Sequence, residues 1–147
     1  MNIHHLPGKD PRRHHADVLT VARTRGASAN GETGMGQIID WQDLGGSSPT
    51  RFLFQGGEHG ASVSVFVVDF SPGQGPPLHR HPYEEVFVVH EGLARFTAGE
   101  ESLEAEVGQV VIVPAGTPHK FVNAGEGRLR LMSVHPRPHI ELEWLEG

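Results

Sequence analysis

The sequence contains no cysteine, which excludes disulfides, thiolate metal sites, iron–sulfur clusters and cysteine nucleophiles. It has no apolar run of membrane-spanning length and no cluster of lysine and arginine. The formal net charge is -6 at pH 7, so we expect neither membrane nor nucleic-acid partners. Residues 1–13 carry charges and prolines but lack the apolar core of a signal peptide. A cytoplasmic location is the expectation.

Aromatic residues make up only 7% of the sequence, whereas it contains 19 glycines and 11 prolines. This composition favours short strands joined by tight turns over a helical bundle. A length of 147 residues corresponds to one domain. Apolar residues are sparse in residues 1–35, which we predict to be flexible or loosely docked, with the domain formed by residues 36–147.

Alternating apolar and polar positions predict a series of strands. The predicted strands are residues 37–41, 51–54, 61–70, 85–89, 93–98, 102–107, 110–113, 120–123 and 128–134. The ending, residues 140–145 with Trp144, is predicted to be a packing segment and not part of a site. Residues 61–70 and 110–113 are apolar at successive positions, which predicts burial of both faces. The sequence therefore predicts an all-β protein with a layered core.

Three residues with metal-binding side chains lie close together in the sequence. If the chain is extended here, the period of two places His79, His81 and Glu85 on the same face of one strand. Glu84 is the alternative carboxylate, but it would point to the opposite face. Imidazole nitrogen with carboxylate oxygen suits iron, manganese, zinc, nickel or copper.

A fourth ligand is available further along the chain. After the apolar run of residues 110–113, a turn rich in proline and glycine leads to His119, at the start of another strand-like segment. The fifteen residues between Gly92 and Gly108 are enough for a hairpin and little else. His119 is therefore placed to complete the metal site.

These two stretches closely resemble the two motifs of the cupin family. The first reads G-x5-H-x-H-x3-E-x6-G from Gly73 to Gly92, and the second reads G-x5-P-x-G-x2-H-x3-N from Gly108 to Asn123. The resemblance covers about residues 60–135. It implies an antiparallel jelly-roll barrel, a double-stranded β-helix, with one divalent metal ion. The residues that match the ligands of the family are His79, His81, Glu85 and His119.

Several other residues are candidates for the pocket around this metal. Phe87 and Val89 share the parity of Glu85 and are predicted to line the pocket, although an ordinary core position is the alternative. Tyr83 is either a pocket hydroxyl or an exposed turn residue. His135, at the end of a predicted strand, is either a pocket acid or base or a surface residue.

Three arginines are candidates for pairing with an anionic substrate, namely Arg51, Arg95 and Arg130, but nothing in the sequence aims any of them inward. The apolar strand of residues 61–70 predicts a homodimer, because a small barrel tends to bury such a strand against a second copy.

The predicted site suits a reactive centre, because four protein ligands leave about two of the six positions of a first-row metal ion open. We expect a small oxygen-rich substrate to bind there, with Glu85 and His135 as candidate catalytic residues. Relatives of this fold include dioxygenases, isomerases and lyases, and also sugar-sensing and storage proteins. The alternatives are therefore a metal-dependent enzyme, such as a dioxygenase, and a binding protein without catalysis.

Overall fold

The computed structural model of the protein describes residues 35–146. Within them the chain forms ten strands and two short 3-10 turns, Trp41–Asp43 and Gly56–Glu58. The strands are β1 Phe52–Gln55, β2 Ser64–Phe70, β3 His79–Arg80, β4 Glu85–Glu91, β5 Leu93–Ala98, β6 Glu101–Glu106, β7 Val110–Val113, β8 His119–Asn123, β9 Leu129–His135 and β10 Glu143–Trp144. Across this part of the chain, no helix is of a length and apolarity that would cross a membrane.

The strands form two five-stranded antiparallel sheets. The first has the order β1-β2-β9-β4-β7 and the second the order β10-β3-β8-β5-β6. Strands that are neighbours in space are thus often distant in sequence, which is typical of a jelly roll. The prediction of an all-β jelly-roll barrel is confirmed. The predicted N-terminal segment lies, except for residue 35, outside the described residues, and the domain boundary stays a prediction.

The core lies between the inner faces of the two sheets. Strands β4 and β9 alternate buried and more exposed positions along their length, as expected where one face packs inward. Phe87 of the first sheet meets Phe96 of the second edge-to-face, with ring centroids 4.9 Å apart, and meets Phe121, also of the second sheet, at 5.6 Å. These aromatic contacts hold the two sheets together below the site.

One glycine is required where the chain leaves the first sheet for the second. Gly92 lies between β4 and β5 with φ +86, and a Cβ there would lie 2.3 Å from the carbonyl oxygen of Arg128. No other residue type tolerates both the left-handed backbone and this contact. The β4–β5 connection therefore depends on glycine at this position.

Two strand predictions are wrong in physically simple ways. Residues 37–41 do not form a strand in the structure; the chain instead turns at Trp41–Asp43, where the Leu44 N–H bonds the Trp41 carbonyl. Strand β7 is not buried on both faces, since Val110 and Ile112 are 57% and 64% exposed. It is the edge strand of its sheet, and only its inward side chains meet the core.

Candidate metal centre

Three imidazoles and one carboxylate converge inside the barrel. Ligand atoms of His79, His81, Glu85 and His119 all lie within 4.8 Å of one another, and all four residues are buried. The structure thus brings together the four residues that the sequence predicts as a ligand set. A group of this kind could hold a metal ion.

The four residues come from both sheets, which corrects the prediction that the first three share one strand. His79 begins β3 of the second sheet, Glu85 begins β4 of the first, and the chain bends between them. Pro82 interrupts regular pairing in this segment. His119 begins β8 and lies directly opposite His79 in the β3–β8 pair. The site therefore lies where the chain crosses between sheets.

All three imidazoles are oriented by the same device. In each ring Nδ1–H donates to a backbone carbonyl: His79 to Pro77 at 2.8 Å, His81 to Glu141 at 2.6 Å and His119 to Thr117 at 2.8 Å. This bond fixes the tautomer in which Nε2 carries a lone pair. The three Nε2 atoms are therefore available as ligands.

The contacts around Glu85 test whether a cation fits. Its Oε1 lies 2.9 Å from His119 Nε2 and 3.1 Å from His81 Nε2. The latter atom is buried and makes no hydrogen bond. Because Nδ1 carries one proton, each of these contacts joins two lone-pair acceptors unless a second proton on the imidazole or a metal ion lies between them. The donor set therefore fits a divalent ion.

The carboxylate is held in its charged form. Burial acts to raise the pKa of Glu85, but the contacts with His119 and His81 outweigh it and lower the pKa to about 2. Burial lowers the pKa of His79, which favours its neutral, ligating form. Burial acts to lower the pKa of His81, but its contact with Glu85 outweighs burial and raises that pKa. The site thus presents one negative charge that attracts positive charge, either a proton on His81 or a metal ion.

A second group of polar residues lies on the far side of Glu85. His135 Nε2 lies 3.4 Å from Glu85 Oε2 and 3.1 Å from Ser133 Oγ. The Tyr83 hydroxyl lies 2.8 Å from His135 Nδ1 and accepts the Glu141 N–H at 3.2 Å. Because the Glu85 carboxylate can only accept, the proton of His135 is placed on Nε2, facing Glu85 and Ser133. Nδ1 then accepts the phenol proton of Tyr83.

Burial shifts the pKa values of His135 and Tyr83 so that both side chains stay neutral. It lowers the pKa of His135 to about 4 and raises that of Tyr83 to about 12. Both side chains are therefore neutral at pH 7, and Tyr83–His135–Glu85 forms a chain of hydrogen-bonding groups that ends at the metal site.

A cavity of about 630 Å³ adjoins the four converging residues, a size typical of sites for small organic ligands. Apart from the metal-site residues its walls are mostly apolar. The apolar side chains that line it are Leu53, Phe66, Val68, Phe70, Phe87, Phe121, Leu131, Ile140, Leu142 and Trp144. The remaining polar side chains in the wall are Arg51, Gln55, Ser133 and His135.

Only some of the predicted pocket residues line the cavity in the structure. Phe87 lines the cavity, as does His135. Val89 does not, and it packs in the hydrophobic core instead. Tyr83 is not an exposed turn residue: it is buried behind His135 and is absent from the wall. His90 is exposed on the opposite face of β4.

Sequence reasoning missed several wall residues, above all Trp144. Its ring centroid lies 5.3 Å from that of His79, because β10 pairs with β3. It was predicted to be a packing residue near the end of the chain. The pairing of two-residue strands more than sixty positions apart leaves no local signal in the sequence.

Comparison with known proteins places this geometry in a family. The family model described as cupin domain matches residues 66–135. Auxin-binding protein 4 of Zea mays is 34% identical over 95 residues, which cover 57% of this chain and 47% of that protein. An uncharacterised protein of Streptomyces coelicolor is 36% identical over 81 residues, 55% of this chain and 74% of that one.

Solved structures agree at the level of the fold. Oxalate decarboxylase of Lactobacillus farciminis superposes with a TM-score of 0.60 at 21% identity, covering 65% of this chain and 30% of that one. This chain thus spans about half the length of the maize relative and less of the decarboxylase. With both motifs, two antiparallel sheets and the buried His-His-Glu-His group in place, the chain belongs to the cupin family.

Proposed function

We propose that this cupin binds one divalent first-row metal ion through His79, His81, Glu85 and His119, and that the ion binds a small molecule in the adjoining cavity. The observation that carries the proposal is the buried Nε2 of His81, which has no hydrogen bond and lies 3.1 Å from a carboxylate oxygen. Such an arrangement needs a positive charge between the two atoms, which a metal ion would supply in place of a second proton on the imidazole.

When bound, the metal ion would act as a Lewis acid towards an oxygen-bearing ligand or activate dioxygen. Glu85 contributes the negative charge that offsets part of the charge of the ion. The carbonyls of Pro77, Glu141 and Thr117 hold the imidazoles in one tautomer. The ligands are therefore positioned before the metal arrives.

The neighbouring proton carriers favour an enzyme over a passive binding site. The Nε2–H of His135 faces Glu85 Oε2, and the Tyr83 hydroxyl stands behind it. This arrangement holds a proton at His135 Nε2, beside the carboxylate and on the cavity wall, with Tyr83 able to replace it. Glu85 and His135 are the catalytic candidates, and a dioxygenase, an isomerase and a lyase are the reactions to test.

A binding protein without catalysis is the second candidate. It is favoured by the apolar walls of the cavity and by the printed names of several relatives, which describe auxin-binding proteins of maize, Arabidopsis thaliana and Nicotiana tabacum. In that case the metal orients a bound ligand, which is later released without chemical change.

Elemental analysis of protein expressed without added metal tests the proposal and separates its branches. We expect about one equivalent of metal per chain. Iron or copper would favour dioxygen chemistry, whereas zinc or manganese would favour an isomerase, a lyase or binding. Protein that neither retains metal nor takes up any of these ions at pH 7.5 would overturn the proposal.

We also propose that two copies associate through the outer face of the first sheet, and we expect them in the cytoplasm. Apolar residues face outward on all five strands of this sheet and lie in two rows across it. The rows are Phe54, Val65, Val134, Val86 and Ile112, and Phe52, Val67, Met132, Val88 and Val110. An apolar face of this extent is typical of an interface, and it includes the outward residues of the strand predicted to pair.

A further inference from the structure

The side chains on the inner face of the first sheet become less polar with distance from the metal site. Strand register places side chains in rows across β1, β2, β9 and β4. The row at the metal consists of Gln55, Ser64, His135 and Glu85, and it is polar throughout. The next row consists of Leu53, Phe66, Ser133 and Phe87. The third consists of Val68, Leu131 and Val89, and Arg51 directly precedes β1.

The second sheet and the C-terminal segment continue the same division. His79 faces the metal site with Trp144 beside it, and Phe121 and Leu142 line other parts of the cavity wall. A ligand held by the metal must therefore pass an apolar belt. Within this belt Ser133 is the polar side chain of the first sheet, and it is already bonded to His135.

A positive charge lies beyond the belt. Arg51 lines the cavity, and within residues 35–146 its guanidinium has no ion pair or hydrogen bond. The other cations with charged partners lie elsewhere: Arg80 pairs with Glu143 and Arg95 with Glu104. Arg51 is exposed and solvated, so its charge is available to a ligand in the cavity.

The spacing of these features suits a ligand with two polar ends. Arg51 precedes Gln55 by four residues of extended chain, about 13 Å along the strand. The long arginine side chain shortens the gap that a ligand must cross. An apolar body about the size of one aromatic ring fills the remaining distance.

We propose that the cavity binds a two-ended organic acid: an oxygen-bearing head at the metal, an apolar and preferably aromatic middle against Phe66 and Leu131, and an anionic group at Arg51. This inference rests on the proposed function, because the metal holds the head. It excludes oxalate and sugars as preferred ligands, since neither has an apolar middle to match the belt. Arg51 acts as a specificity residue and takes no part in the chemistry.

Isothermal titration of metal-loaded protein with three probes tests this assignment. Pyruvate supplies the head, phenylpyruvate adds the apolar body, and 4-carboxyphenylpyruvate adds the distal charge. We expect each step to tighten binding about tenfold or more, from burial of the ring and from pairing of the charge. The titrations are done in 0.15 M salt, so that distant charges are screened.

Arg51→Met isolates the last step. It should abolish the gain from the distal carboxylate and leave the gain from the ring intact. Arg95→Met is the matched control, because Arg95 lies on the exposed face of β5 beside Glu104 and is absent from the cavity wall. It should preserve both steps.

The outcomes separate the inference from the proposed function. Metal content is measured first, and protein that holds no metal overturns the proposed function itself. If metal is bound but the three probes bind within threefold of one another, the ligand class is wrong. If the distal carboxylate helps equally in Arg51→Met, the role of Arg51 is wrong. The probe series on the unmodified protein stays decisive even if the variant folds poorly.

Discussion

Replacing His81 with alanine provides the sharpest test of the metal site. The side chain is buried, its Nδ1 bonds the Glu141 carbonyl, and its Nε2 points at Glu85 with no hydrogen bond. If a metal binds here, the variant loses one of four ligands. If none binds, the variant loses packing, the hydrogen bond to Glu141 and the contact with Glu85, but no stabilisation that depends on metal.

The magnitude follows from the number of ligands. Structural zinc sites with four ligands bind with about 10–16 kcal/mol, so one ligand corresponds to about 3 kcal/mol, or roughly a hundredfold in affinity. At a metal concentration of about a hundred times the dissociation constant, metal stabilises the protein by about 2.7 kcal/mol. After a hundredfold loss the same concentration contributes about 0.4 kcal/mol. For a domain of this size the difference corresponds to about 10 °C in melting temperature.

The assay is a thermal melt of His81→Ala with and without metal, together with elemental analysis. His90→Ala is the matched control, since His90 lies on the adjoining strand but is exposed on its outer face. Residues 1–15 are deleted from all proteins, because their paired histidines would bind metal independently. A metal-dependent rise in melting temperature of equal size in both variants would refute the ligand assignment.

Three further results are expected. Tyr83→Phe should keep its metal but lower the free energy of unfolding in urea by about 1–3 kcal/mol, because His135 Nδ1 loses its partner; loss of metal would contradict the assigned geometry. In metal-free protein, burial lowers the pKa of His135 to about 4, so between about pH 6.5 and 4 the unfolded state binds more protons and stability decreases as the pH falls. His135→Asn should show a shallower decrease, and an identical pH profile would count against this. Val88→Lys, on the apolar outer face, should turn a dimer into a monomer by light scattering, whereas an unmodified protein that is monomeric at tens of micromolar would disprove the proposed interface.

Local patterns of apolar residues predicted several strands well. Residues 93–98 and 110–113 form strands with the predicted bounds, β5 and β7. The spacing of two histidines and a glutamate also identified the residues that converge. These signals lie within a few positions of one another, so the sequence displays them directly.

Contacts between distant segments could not be predicted in this way. The carbonyl that orients His81 belongs to Glu141, sixty positions later, and Trp144 reaches His79 only through the pairing of β10 with β3. Which face of β7 is exposed depends on its place at the edge of the sheet. Such facts follow from strand order, which no local pattern records.

The metal-site residues and many of the cavity-wall residues lie in different parts of the sequence. The four converging residues fall within the matched region, residues 66–135, whereas many wall residues lie outside it, namely Arg51, Leu53, Gln55, Ile140, Leu142 and Trp144. These come from β1 and from the segment that ends in β10, which close the cavity without contributing a converging metal-site residue. Changes there can therefore alter the shape and charge of the cavity while the metal geometry stays the same. Two proteins with both motifs intact can thus bind the same metal ion and different ligands. The ligand preference of this protein therefore depends on the wall residues that precede and follow the matched region.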